Sequence, residues 1–197
     1  MRTFEEHLQA AAAMHGHLCA GQVIGVRMAR RGCLELGLDP DERADRQRLI
    51  VYVEVDRCAT DAISSVTGCK LGKRTLKHVD YGKVAATFVD THTGRAVRVV
   101  AREDARDKAR AYGAYGDGEH SAYEAQRAAY QQMPDDDLLI LQRVKVDIPP
   151  EDLPGRSLRR VTCQQCGESV SDGREMVVNG RMLCRACARP SYYRRID

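Results

Sequence analysis

Apolar residues recur at helical spacing in the first part of the chain and at strand spacing in the middle. Residues 3–14 place Leu8, Ala11 and Ala12 on one side, with Thr3 to cap the start and Glu5 and Glu6 where the helix dipole favours acids, so a helix is expected. A second helix is expected over residues 22–36, with Val23, Val26 and Ala29 inward and Gly37 as its stop. After a polar turn at residues 39–42, residues 49–55 are rich in β-branched side chains and read as a buried strand. A short helix over 59–66 follows, closed by Thr67 and Gly68.

Residues 82–90 and 95–101 read as two strands joined in a hairpin. Residues 102–112 have a charged helical pattern and 113–118 a glycine-rich break. A helix over 119–132 carries Tyr123 and Tyr130 at core-compatible spacing. Residues 138–146 begin as a solid apolar run and end in alternation, as a strand leaving a sheet does. The expected core is α+β, a mixed or antiparallel sheet of about four strands with packed helices.

Residues 147–155 contain Pro149, Pro150 and Pro154 and no periodicity, so they read as a linker. Two domains are therefore expected, a core over 1–150 and a small unit over 151–197. The small unit carries Cys163-x-x-Cys166 and Cys184-x-x-Cys187 with seventeen residues between the pairs. Four thiolates at this spacing close a tetrahedral site with no open position, which makes a bound Zn²⁺ structural and lets a segment with few apolar residues fold. A treble-clef or ribbon-like finger is expected, with a hairpin turning at Asn179-Gly180.

Charge changes the picture only there. From residue 155 onward nine arginines face four acids, a formal +5, which leaves −2 for the first 154 residues. Without a basic stripe or a row of aromatics, protein contact is favoured over nucleic acid for the finger. The longest apolar runs fall short of the roughly 18 residues that span a bilayer, and the N-terminus is polar, so a cytoplasmic protein with reduced thiols and no membrane segment is expected.

The candidate chemistry of the core begins at His15-Gly16-His17-Leu18-Cys19. In an extended segment His15, His17 and Cys19 would share one face, and Cys19 would sit at a helix N-terminus, which favours a thiolate. Taken singly, each of these side chains reads more simply as a packing residue; the trio together reads as a ligand set. Cys58 and Cys69 bracket the third helix, roughly 16 Å apart at about 1.5 Å rise per residue, too far to share one ion. Cys58, where the strand gives way to the helix, is the expected partner of His17 and Cys19, with His15 as a fourth or supporting group. Cys69 stands beside Lys70 and Lys73 in a glycine-loosened loop that suggests an anion site, against the plainer reading of a solvated basic turn.

Three blocks resemble the FmdE-like family of formylmethanofuran dehydrogenase proteins. They are His15-Gly-His-Leu-Cys-Ala-Gly21; Cys58-Ala-Thr-Asp-Ala-Ile with Thr67-Gly-Cys69 and Gly72-Lys73; and Gly82-Lys-Val-Ala with Thr93-Gly-Arg-Ala-Val-Arg98. The tail is similar to the four-cysteine finger of DksA/TraR proteins. The resemblance implies an α+β core, a homodimer, and a transition metal, expected to be Zn²⁺, near the His/Cys motif. It also implies association with a molybdenum or tungsten oxidoreductase. Ala20 stands where a proline is usual in the family, and Lys70 where a small polar residue is usual. The alternative function is a non-enzymatic regulatory or interaction protein that binds its partner through the finger.

Overall fold

The computed structural model describes residues 1–113 and 119–196. It divides into two compact units, Met1–Asp147 and Ile148–Asp197. The break falls at the start of the proline-containing segment, three residues before position 150.

In the first unit, helix α1 (Phe4–His15) starts in a capping box. The Thr3 hydroxyl accepts the Glu6 N–H at 3.2 Å, and the Glu6 carboxylate accepts the Thr3 N–H at 2.8 Å. It ends at Gly16, whose φ of 96° lets the chain reverse at once into the next segment. Helix α2 (Ala20–Leu36) begins at Cys19 as N-cap and buries Val23, Val26 and Ala29, as its periodicity predicts.

The chain continues through α3 (Arg43–Arg48), β1 (Leu49–Val53), α4 (Cys58–Thr67), a 3-10 turn (Leu71–Lys73) and β2 (Leu76–His78). It then forms β3 (Ala85–Asp90), β4 (Ala96–Ala101), α5 (Ala105–Ala109), α6 (Glu119–Gln132), α7 (Asp135–Leu138) and β5 (Leu139–Val144). The sheet order is β2-β1-β3-β4-β5; β1 and β2 are parallel, with Val51 opposite Leu76, and the other neighbours are antiparallel. Leu49, Val51, Phe88, Val97 and Val99 on one face join Val23, Val26, Ile63 and Val66 of the helices in one core. Each such side chain contributes about 1.5–3 kcal/mol on burial.

The sheet has five strands where about four were expected. The added strand, β2, has only Leu76 buried, so it left no apolar pattern to read. The helix expected over 102–112 is confined to α5, because Ala105 and Ala109 are the only residues it buries. The break expected at 113–118 lies outside the described residues from 114 onward. Of the two tyrosines on α6, Tyr130 is buried, whereas Tyr123 is exposed and its hydroxyl accepts the Ala20 N–H at 3.3 Å.

Two charged pairs fix the sheet. Asp90, 1% exposed, is gripped by both nitrogens of the Arg48 fork and also accepts from the Thr93 hydroxyl and the His92 N–H. The Arg48 contact, reinforced by Thr93 and His92, holds its carboxyl well below the usual carboxylate range. Glu54 takes two parallel hydrogen bonds of 2.6 Å from Arg98.

The second unit pairs β6 (Arg160–Thr162) with β7 (Ser169–Ser171), and β8 (Met176–Val178) with β9 (Arg181–Leu183), followed by α8 (Arg185–Ala188). The β8–β9 turn is Asn179-Gly180, with φ of 50° and 76°, the left-handed pair that a tight hairpin requires. No helix among the described residues is long and apolar enough to cross a membrane.

Candidate metal centres

The junction between α1 and α2 brings His15, His17 and Cys19 together. Their donor atoms lie within 4.8 Å of one another, and the two imidazole centroids are 4.8 Å apart. The convergence does not arise from an extended strand, as the alternating spacing suggested. His15 belongs to the last turn of α1, Gly16 reverses the chain, and Cys19 already caps α2.

Neighbours fix His15 and Cys19, while His17 is exposed. His15 Nδ1 sits 2.8 Å from Asp61 Oδ2 on α4, which orients the ring and leaves Nε2 for a cation. Cys19 is 5% exposed, and its sulfur accepts the Gln22 N–H at 3.4 Å, the side-chain cap that opens α2. From α6, Tyr123 holds the Ala20 N–H, and Arg127 donates to the Leu18 carbonyl at 3.4 Å. These two contacts pin the backbone on both sides of Cys19, and nothing in the spacing of α6 announced them.

Cys58 opens α4 beside Cys19. A Cβ added at Gly21 would lie 2.9 Å from Cys58 Cβ and 3.7 Å from Cys19 Sγ; one at Gly25 would lie 2.4 Å from the Ala59 carbonyl oxygen. The missing side chains at positions 21 and 25 therefore let α2 and α4 approach closely enough to bring the two thiols together. Burial, and then the neighbouring Cys19 thiol, push the Cys58 thiol above its ordinary value. Gln22, fully buried, donates to the Cys58 carbonyl at 2.6 Å and so ties the two cysteine segments together. Beside this cluster is a cavity of about 420 Å³ lined by His15, Asp56, Arg57, Cys58, Thr60 and Asp61.

The loop after α4 is arranged differently from the expected anion site. Lys70 and Lys73 are exposed, but Cys69 is 1% exposed, with its sulfur against the Leu49 carbonyl at 3.7 Å, and burial raises its thiol. Cys69 packs in the core and offers nothing to a ligand held by the lysines.

In the second unit, Cys163, Cys166, Cys184 and Cys187 place their sulfurs within 4.8 Å of one another. The Cys166 and Cys184 sulfurs are 3.8 Å apart, which matches the ~3.8 Å edge of a tetrahedron with metal–sulfur bonds of about 2.3 Å. Backbone N–H groups of Cys166, Cys184 and Gln165 hold the Cys163 thiol down at about 6. The thiol contact with Cys184 and burial push Cys187 up to about 12. Four thiols so close cannot all ionise without a cation to offset the repulsion, so the donor set fits zinc.

An α+β core with a His/Cys donor cluster, joined to a four-cysteine finger whose donor set fits zinc, defines a two-part protein. The model of the family described as "FmdE, Molybdenum formylmethanofuran dehydrogenase operon" matches residues 14–140, and the chain belongs to this family. A second model, the prokaryotic dksA/traR C4-type zinc finger, matches residues 156–193. Among solved structures, the chain resembles a tungsten formylmethanofuran dehydrogenase FmdE-like protein from Syntrophus aciditrophicus. The TM-score is 0.60 at 22% identity, over 98% of this chain and 95% of that one, a likeness of fold. A protein of Archaeoglobus fulgidus described as a probable S-adenosyl-L-methionine-binding protein is 37% identical over 93 residues, 47% of this chain. The chain spans only a quarter of the length of that curated relative.

Proposed function

We propose that the core binds one transition-metal ion, zinc, through His15, His17, Cys19 and Cys58, and that the chain acts as a cytoplasmic, homodimeric accessory protein of a molybdenum or tungsten formylmethanofuran dehydrogenase-type oxidoreductase. The observation that carries the metal site is the convergence of His15, His17 and Cys19 within 4.8 Å, with Asp61 orienting His15. Cys58 lies outside that tight trio but next to Cys19, on the wall of the cavity. A bound zinc would supply Lewis acidity beside the cavity. The chain's own residues hold and shape the site: Gln22 and Tyr123 fix the two cysteine segments, while Asp56, Arg57 and Asp61 place charge at the rim.

Metal analysis of the full chain tests this reading. Two equivalents per chain are expected, one lost in Cys19→Ala and the other in Cys163→Ala. A single equivalent that Cys19→Ala leaves in place would remove the core site. The link to an oxidoreductase rests on membership of the FmdE family, and co-purification from the native host checks it.

A second reading has its own support on the finger, where Val177 is 72% exposed directly opposite exposed Met182, with Arg181 alongside. In that reading the finger docks a protein partner and the chain performs no chemistry. Loss of partner capture in Val177→Asp with zinc content unchanged would favour it.

A further inference from the structure

The two core thiols differ in their access to solvent. Cys58 is half-buried and lines the 420 Å³ cavity, whereas Cys19 is 5% exposed and is not part of its lining. They come from segments 39 residues apart, yet the close approach at Gly21 sets Cys58 Cβ and Cys19 Sγ against the same point. An accessible sulfur backed by a buried one is the arrangement in which an oxidised cysteine is captured by a neighbour before it oxidises further. The remaining core cysteines, Cys33 and Cys69, are at most 1% exposed and line no part of this cavity.

We propose that Cys19 and Cys58 form a reversible disulfide under peroxide, and that this bond switches the core site off by removing two of its donors. The second half of the proposal rests on the metal-binding reading above; the first does not. In the first step the Cys58 sulfur, the one that the cavity exposes, attacks one oxygen of hydrogen peroxide, slowly because burial raises its thiol. The O–O bond breaks, Cys58 becomes a sulfenic acid, and its proton leaves with the departing oxygen as water. In the second step the Cys19 sulfur attacks the Cys58 sulfur, the S–O bond breaks, and a second water leaves carrying the Cys19 proton. Two thiols are oxidised by two electrons in all, and the peroxide is reduced to two waters. A dithiol reductant reverses the bond by exchange. His15 and His17 remain but cannot alone hold the ion, so oxidation releases the core metal.

The test is peroxide treatment of the full chain, metal-depleted and zinc-loaded in parallel, followed by peptide mass spectrometry and by measurement of released zinc. The expected result is a Cys19–Cys58 linked peptide, two hydrogens lighter than the separate pair and lost on dithiothreitol treatment, with one zinc equivalent leaving the loaded chain as the link appears. Cys58→Ser should abolish the link and leave Cys19 reduced; Cys19→Ser should let Cys58 proceed to the sulfinic acid. Zinc bound at the core with Cys58 reduced or overoxidised in the unmutated chain would overturn the disulfide while sparing the metal site. A linked peptide in a core that takes up no zinc would establish the disulfide and remove the metal site along with the switch.

Discussion

Gly25→Ala probes the contact on which the core cluster depends. An added methyl would lie 2.4 Å from the Ala59 carbonyl oxygen, 2.7 Å from Ala62 Cβ and 2.8 Å from Ala59 Cα, two of which are backbone atoms that cannot swing aside. Ordinary contact begins near 3.4 Å, so α2 and α4 must separate by up to about 1 Å. Overpacking of this kind costs about 1–3 kcal/mol, and the gain in helix propensity from glycine to alanine returns about 1 kcal/mol. The net loss should be roughly 0–2 kcal/mol, which for a chain of this size lowers Tm by at most about 8 °C. Because Cys58 opens α4, the same separation draws its thiol from Cys19, so core zinc affinity should fall while the finger keeps its ion. Thermal unfolding and chelator competition measure the two effects, with Gly72→Ala as a control where nothing lies within 4 Å of the added methyl. A Gly25→Ala chain more stable than the parent, or one with unaltered core affinity, would refute the close-packing argument.

Three further outcomes follow from the same structure. Asp61→Asn should weaken core zinc binding by about 10–100-fold, the usual effect of losing a carboxylate that orients a ligating histidine, and competitive titration reads it directly. Arg48→Ala strands the buried Asp90 carboxylate and should cost about 3 kcal/mol in urea unfolding. Asp90 is depressed in the folded state, so its contribution is present above the unfolded value near 4 and fades as pH falls toward its folded value; Arg48→Ala should flatten stability below pH ~4, and a curve as steep as the parent's would contradict this. Stripping zinc with a strong chelator should expose Ile148–Asp197 to protease while Met1–Asp147 keeps its circular dichroism, and equal resistance of both units would contradict a zinc-dependent finger.

The parts of this protein legible in its sequence are those that local chemistry specifies. The four finger cysteines carry their ligand spacing in the chain, Thr3 and Glu6 cap α1 by contacts within one turn, and Asn179-Gly180 dictates the hairpin. His15, His17 and Cys19 are near neighbours in sequence, so their grouping could be read even though the route, helix end to helix start, could not. What required the tertiary structure is whatever depends on how separate elements cross. Cys58 reaches Cys19 because Gly21 and Gly25 let α2 lie against α4; Tyr123 turns from the core to the Ala20 N–H; and Cys69, which looks like a loop residue, closes the core under β1. Local spacing fixes which face of an element is apolar, but the distance between two elements is set by the side chains each presents to the other, and only the packed structure decides that.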